Sequence, residues 1–416
     1  MTFRSSATAR WLTRSIVVTI CVGVGGGLSG LVVSLALRGI EHLAFGYSDG
    51  SFLDGVVHSA PWRRVFALVL AGIIGGFGWW AVRRWLSAIV SVEQSVAGAR
   101  MPAVTTVLNA GLQIVIVGLG ASIGRELAPR EISAMIAGWI ADKSGVTARE
   151  RRVLIACGAG AGLAAVYNVP LGGAIFAVEI LLAELSIATV VPAIMTSAIA
   201  TIVAWIAVPM EPLYVVPSVV STPSLLVWAA LAGPVIGVLA VGFVRGTKFA
   251  ERVRPRSWAI LFVMPIGFAA VGFASIALPA ILGNGKALGQ LAFTASESIG
   301  VIVVLGVAKA VATTATVGSG AAGGTLTPSL AIGACLGAVL GGVWTTFWPG
   351  TSIAAFTLVG AAAFLGTSMR APITAVVLVV EFTHAGVTLM VPILLAVAGA
   401  VAVGRLISRT RVAEVP

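Results

Sequence analysis

From Ile16 to Leu406 the chain is a succession of apolar runs separated by short polar breaks or by glycine and proline. The runs predict helices over roughly 13–38, 62–85, 103–122, 126–141, 151–166, 171–185, 188–208, 224–245, 257–282, 298–317, 328–346, 352–366, 373–384 and 388–406. Several are only about 12–17 residues long, short of the ~20 that a straight helix needs to cross a ~30 Å hydrocarbon core. Short helices that begin or end at Gly or Pro in mid-membrane read as broken or tilted. Such breaks are tolerated where the freed backbone lines a cavity inside the protein. The first run, about 22 residues from Ile16, is long enough to span, so it reads as a membrane helix and not as a cleavable leader. No long polar stretch marks a separate soluble domain.

A second regularity lies over this pattern. Residues 158–179 and 360–381 each contain a small-residue helix, a polar-x-Pro break, and a glutamate nine positions after the proline: Asn168-Val-Pro170 with Glu179, and Arg370-Ala-Pro372 with Glu381. Upstream of each lies a glycine-rich break ending in proline, Gly120 to Pro129 and Gly318 to Pro328. Two such halves in a transporter-like chain imply a pseudo-twofold with the site at the interface of the repeats.

Composition sharpens the class. Of 416 residues 58% are hydrophobic and 10% charged, against about 25% charged in soluble domains, which identifies an integral membrane protein. The net charge of +11 does not indicate nucleic acid. The cations sit in short turns and at the ends (Arg4, Arg10, Arg14; Arg83, Arg84; Arg149, Arg151, Arg152; Arg245 to Arg256; Arg405, Arg409, Arg411), a positive-inside pattern that puts both termini in the cytoplasm. Cys21, Cys157 and Cys335 read as unpaired thiols, and the three isolated histidines offer no metal site. No cofactor loop or nucleophile–base set is present, so no enzyme is expected.

The chemistry concentrates in Gly120-Ala-Ser-Ile-Gly-Arg-Glu-Leu-Ala-Pro129. A carboxylate in mid-membrane costs about 2.5–3.5 kcal/mol on insertion scales, so Glu126 is a functional candidate. The glycines before it and the proline after it describe a helix that starts inside the protein, and a helix start is an anion site. Arg125 reads mainly as a counter-ion, and Arg130 and Glu131 are placed to pair locally. The second candidate is Gly318-Ser-Gly-Ala-Ala-Gly-Gly-Thr-Leu-Thr-Pro328. No Gly-Lys-Ser/Thr follows it, which disfavours nucleotide binding; Gly324, Thr325 and Leu326 read as an amide cradle for an anion. Gly333, Gly337 and Gly341, at intervals of four, read as a helix-packing face.

In these four segments (Gly-Arg-Glu at 124–126, Ala-Gly-Leu-Ala-Ala-Val-Tyr-Asn-Val-Pro-Leu-Gly-Gly at 161–173, the glycine loop at 318–328 and Met-Arg-Ala-Pro-Ile-Thr at 369–374) the chain resembles the CLC chloride channel and chloride/proton antiporter family over nearly its whole length. The resemblance implies an all-α polytopic membrane protein with two antiparallel half-repeats. It divides the chain into cytoplasmic tails at 1–12 and 407–416 and a membrane domain at 13–406. That domain comprises a first half at about 13–245, a linker at 246–256 and a second half at 257–406. It further implies a multi-pass homodimer in the cell membrane, passing a small monovalent anion, chloride first. Glu126 is then the gating glutamate, with Gly124, Arg125, Gly324, Thr325 and Leu326 about the anion.

Departures from the family pattern are specific. Leu127 follows the gating glutamate in place of glycine, and Leu326 replaces an aromatic. The inner serine motif is missing, leaving Ser91, or Ser87, as its stand-in. The inner tyrosine has no match among Tyr47, Tyr167 and Tyr214. Ile180 follows Glu179 where proton-coupled members carry an internal glutamate, so Glu179 and Glu184 are the candidates for any proton path. The loss of that internal glutamate points towards passive conduction, or to non-standard proton coupling. Fluoride/proton antiport on the same fold, and a non-conducting membrane sensor, are the alternative expectations.

Overall fold

The computed structural model describes residues 2–385 and 387–410, with side chains described from 13 to 385 and from 388 to 408. It is helical: seventeen α-helices, one π-helical and two 3-10 segments, and no strand among the described residues. Every one of the fourteen apolar runs is a helix. They are Thr2–Phe45, Pro61–Trp85, Ala103–Gly118, Leu127–Ser144, Ala148–Tyr167, Pro170–Phe176 with its π-helical continuation Ala177–Leu182, and Ile187–Ala204; then Pro223–Val253, Ile260–Ala277, Ile299–Gly318, Leu326–Thr345, Ile353–Met369, Pro372–Thr383 and Met390–Thr410. Three short helices, Phe52–His58, Val92–Val96 and Lys286–Thr294, come in addition. Among the described residues, eight helices are long and apolar enough to cross a bilayer. Large apolar side chains such as Val32, Phe66, Phe77, Phe262 and Val307 lie exposed on them, a surface suited to lipid. The protein is a multi-pass membrane protein.

Helices extend into three segments read as tails or linker. The first helix starts at Thr2 and takes in residues 2–12, read as a tail. Residues 246–253, read as linker, are the last turns of Pro223–Val253, and the break follows at 254–259. The tail read at 407–416 is helical to Thr410 and lies outside the described residues from 411.

The chain forms two compact units: Met1–Ala36 with Val82–Gly111 and Glu126–Glu211, and Leu37–Ala81 with Leu112–Arg125 and Pro212–Pro416. At the centre of the first is helix Ala148–Tyr167, buried without a break from Val153 to Tyr167 and packed on Leu127–Ser144, Ile187–Ala204 and Pro170–Phe176. A helix apolar on all sides belongs in the interior. Small residues let its neighbours close in: a Cβ on Gly162 would sit 2.4 Å from the Pro129 carbonyl.

The second unit repeats the plan. Helix Ile353–Met369 is buried from Ala354 to Thr367 and packs on Leu326–Thr345, Pro223–Val253 and Met390–Thr410. The expected packing face of Leu326–Thr345 is used in full. Gly333 lies against Phe364, Gly337 against the Phe356 carbonyl, and Gly341 against the Phe356 ring.

The two central helices also end alike. Ala148–Tyr167 stops at Asn168 in the left-handed region (φ 57°, ψ 48°), followed by Val169 (φ −129°, ψ 70°) and Pro170 at the first turn of the next helix. Ile353–Met369 stops at Arg370 (φ 56°, ψ 29°), followed by Ala371 (φ −133°, ψ 84°) and Pro372. Proline fixes φ and lacks an N–H, so it suits a helix start and forces the residue before it out of the helical region. The polar-x-Pro repeat in the sequence is therefore one backbone device used twice.

Candidate functional site

Two glycine loops interrupt the helices at corresponding places. Helix Ala103–Gly118 ends where Gly120 (φ 102°) donates to the Val117 carbonyl at 2.9 Å and Ala121 to the Ile116 carbonyl at 2.9 Å. Helix Ile299–Gly318 ends with Gly320 (φ 113°) donating to Val317 at 3.0 Å and Ala321 to Thr316 at 3.4 Å. Both are Schellman exits, and each needs the positive φ that glycine takes without strain.

Further along these loops Gly124 and Gly324 pair. The Gly124 N–H donates to the Gly324 carbonyl at 2.7 Å, and the Gly324 N–H to the Gly124 carbonyl at 3.2 Å. It is an isolated antiparallel bridge. Equivalent residues of two repeats that exchange reciprocal bonds are related by a local twofold, as inverted half-repeats require. Each paired glycine leads within three residues into a helix, Leu127–Ser144 and Leu326–Thr345. Neither N-cap side chain, Glu126 nor Thr325, bonds back onto its helix. The Thr327 and Ser329 hydroxyls in the first turn of the second helix are buried, with no protein hydrogen-bond partner among the described residues. Leu326 is buried and Thr325 partly so.

Glu126 is 1% exposed. Its carboxylate accepts a hydrogen bond at 3.3 Å from the hydroxyl of buried Tyr167, the last residue of the central helix. Arg130, one turn along, lies within electrostatic reach of Glu126. Arg130 does not take Glu131 as its ion pair; its guanidinium meets Glu93 at 3.5 Å, while Glu131 accepts from the Asn109 amide at 2.8 Å. Adjacent residues on a helix point in different directions, which is why the local pairing expected from sequence does not form. Arg125 is partly buried, and its charge is felt by Glu41, which is hydrogen-bonded to Tyr47.

The other candidates fall elsewhere. Ser91 is the N-cap of Val92–Val96; its hydroxyl accepts from the Gln94 N–H at 3.2 Å, and Gln94 returns the bond to the Ser91 N–H. Ser87 is exposed and offers its carbonyl to Thr105. Glu179 is partly buried in the π-helical segment Ala177–Leu182, a winding often found at functional sites. Glu184 is ion-paired with Arg149 at 2.8 Å. Hydrogen bonding to Arg149 holds its carboxyl below the ordinary glutamate value. A carboxylate held ionised is ill suited to passing a proton. Tyr214, unmatched in sequence, is fully buried against Phe293 and Phe382.

One residue escaped the sequence reading. Lys309, in mid-helix of Ile299–Gly318, is fully buried. Its ammonium donates to the Ser122 hydroxyl at 2.9 Å, the Ile281 carbonyl at 2.9 Å and the Gly283 carbonyl at 2.6 Å. An ammonium has three donors, and here all three are used. Ser122 also bonds to Thr313 at 3.3 Å. The loop that leads to Gly124 is thus fastened from behind by a buried cation. The signal was available, since a lone lysine in an apolar helix is as unusual as a lone glutamate.

Comparison with known proteins agrees with this architecture. A family model described as voltage gated chloride channel matches residues 74–405. The chain is 27% identical over 382 residues to the voltage-gated ClC-type chloride channel ClcB of Citrobacter koseri, covering 85% of this chain and 89% of that protein. It is 29% identical over 379 residues to ClcB of Escherichia coli, covering 85% and 88%. Among solved structures it is similar to a slow cyanobacterial Cl−/H+ antiporter, with TM-score 0.80, 21% identity and 95% of each chain covered. It is also similar to a CLC-type fluoride/proton antiporter, with TM-score 0.69, 20% identity and coverage of 95% and 96%.

Proposed function

Since the chain belongs to the voltage gated chloride channel family, we propose that it carries a small monovalent anion, chloride first, across the membrane through a pathway gated by Glu126. The observation that carries the reading is the reciprocal Gly124–Gly324 pair, which draws together two glycine loops that each run into a helix start. Backbone amides and helix dipoles hold a dehydrated anion without a fixed counter-charge, tightly enough to admit it and weakly enough to release it. Thr327 and Ser329 supply buried hydroxyls at the second of these starts.

Glu126 is itself an anion. Ionised, it competes for the place the transported ion would take; protonated, it withdraws. Passage then depends on pH. The Tyr167 hydroxyl gives the carboxylate a resting partner. Proton coupling has weaker support, because Ile180 follows Glu179 and Glu184 is held by Arg149. Passive conduction is therefore the favoured mode. The likeness to relatives described as chloride channels, 27% and 29% identical over 85% of this chain, favours chloride.

The test is ion efflux from proteoliposomes with and without a proton gradient, comparing chloride, fluoride and nitrate. Glu126→Gln is expected to raise passive chloride flux and flatten its pH dependence. Flux through Glu126→Gln indistinguishable from wild type at every pH would remove the gate. No flux of any of the three ions would favour a non-conducting sensor.

A further inference from the structure

A basic cavity opens beside the second unit's central helix. It measures about 420 Å³, within the ~300–1,000 Å³ range of small-molecule pockets, and its lining includes Arg245, Lys248, Thr367, Arg370, Arg405 and Ser408. Four of these residues are cations and none is acidic. They come from three helices: Arg245 and Lys248 from Pro223–Val253, Arg370 from the end of Ile353–Met369, and Arg405 from Met390–Thr410. The cavity brings together cations from three separated stretches of the sequence.

A second feature points inward. Thr367 is 7% exposed, and its hydroxyl has no hydrogen-bond partner among the described residues. Buried hydroxyls in helices normally bond somewhere. The neighbouring Ser408 does so, donating to the Gly404 carbonyl at 2.8 Å. The position of Arg370 is set by its left-handed backbone (φ 56°) ahead of Ala371-Pro372. The Arg245 guanidinium is steadied by donating to the Ile407 carbonyl at 3.2 Å.

We propose that this cavity is a binding site for a phosphate-bearing anion at the cytoplasmic face, with Arg245, Lys248, Arg370 and Arg405 about the phosphate and Thr367 donating from below. Four cations suit a multiply charged oxyanion that stays bound, not a monovalent ion that must leave. Arginine's fork matches phosphate oxygens and lysine adds a point charge. The cytoplasmic side follows from the positive-inside bias, since Arg245, Lys248 and Arg405 belong to its basic runs. A basic pocket between membrane helices on that side suits a lipid headgroup. Phe249, Val253 and Leu406, exposed at 67%, 60% and 64% on the same two helices, offer an apolar flank to acyl chains. A soluble phosphate ester has the same headgroup chemistry without that flank.

The experiment uses the full chain in detergent, reading binding by native mass spectrometry and by the shift in Tm. One arm adds phosphatidylglycerol or cardiolipin against phosphatidylcholine; the other adds glycerol phosphate or pyrophosphate. Anionic probe is expected to raise Tm by several degrees, and Lys248→Gln/Arg405→Gln to weaken binding at least tenfold. Arg256→Gln, in the same basic run but outside the cavity, is expected to bind as wild type. Response to lipid alone identifies a headgroup; response to both arms identifies a free anion. No shift with any probe, or equal shifts in wild type and the double variant, would overturn the proposal. Thr367→Val, which removes no charge, decides the matter if the double variant does not fold; unchanged affinity there also overturns it. Because the readout is binding, it stands apart from the transport assay.

Discussion

Lys309→Met removes a charge and leaves a side chain of similar length. The variant strips a donor from the Ser122 hydroxyl, the Ile281 carbonyl and the Gly283 carbonyl, all buried and bonded at 2.6–2.9 Å. A buried acceptor left without its donor costs about 1–3 kcal/mol, so three set a gross loss of roughly 3–9 kcal/mol. Relief of the buried ammonium's desolvation, several kcal/mol, offsets part of this. Because the partners left behind are a hydroxyl and two carbonyls and no charge, the net loss is set at about 3 kcal/mol, the low end of that gross range. On the ~2.1 cal/mol/K per residue of globular proteins, 3 kcal/mol in a chain of this length lowers Tm by about 3–4 °C.

The larger consequence is local. Ser122 stands two residues before Gly124, so the loop loses its rear fastening where the glycine pair forms. If about 1.4 kcal/mol of the loss falls on the loop, the ratio of its competent to its other conformations drops tenfold, and flux is expected to fall by up to that factor. Lys309→Arg does not rescue. The site is filled closely enough that a Cβ on Gly285 would lie 3.3 Å from the Lys309 side chain, and a planar fork cannot reproduce three divergent bonds. The assay is chloride efflux from proteoliposomes beside a melting curve in detergent. Wild-type flux with a Tm within 1 °C of wild type would refute the reasoning.

Three further outcomes follow from the packing and the electrostatics. Gly337→Ala places a Cβ 2.4 Å from the Phe356 carbonyl and 2.9 Å from the Thr357 Cα; two helix backbones must separate, and a melting curve is expected to show about 1–3 kcal/mol of destabilisation or more. Asn168→Ala puts an ordinary side chain at φ 57° and deletes the bond from the Trp205 indole N–H at 2.8 Å. Denaturation is expected to show a loss of about 1–3 kcal/mol, with Asn168→Gly recovering the backbone part. Glu184 is depressed by its hydrogen bond to Arg149, so the pair's contribution is present above the ordinary glutamate range and is lost as pH falls through the lower folded value. Glu184→Gln is expected to leave anion flux between pH 6 and 8 within twofold of wild type; a collapse of proton-driven transport would instead make Glu184 a relay.

How much of this was legible depended on whether the cause was local. Apolar runs gave all fourteen long or broken helices, because in a bilayer a run of that composition has one way to satisfy its backbone. Helices of five to nine residues, such as Val92–Val96, stayed hidden because they are too short for a periodic signal, although the capping box Ser91-Val-Glu-Gln94 was readable. The proline breaks were legible as a repeat, while their identity as matched backbone turns needed dihedral angles. The π-helical winding around Glu179 leaves no mark in the residues. In the candidate site Glu126 and the two glycine loops declared themselves by composition. Tyr167 is 41 positions from Glu126 and Lys309 is 187 from Ser122, and nothing in the sequence connects such pairs.

The pairing of Gly124 with Gly324 is made entirely of main-chain atoms. No side chain signs it, so substitutions on either side can alter the wall of the pathway without touching the joint that holds it. Leu127 and Leu326, the departures read in the sequence, each open the helix that follows one of the paired glycines and take no part in the pair itself. Preference for one ion over another can therefore drift through a few flanking positions while the framework stays fixed, and exchanging those positions between relatives is the direct route to redesigning selectivity.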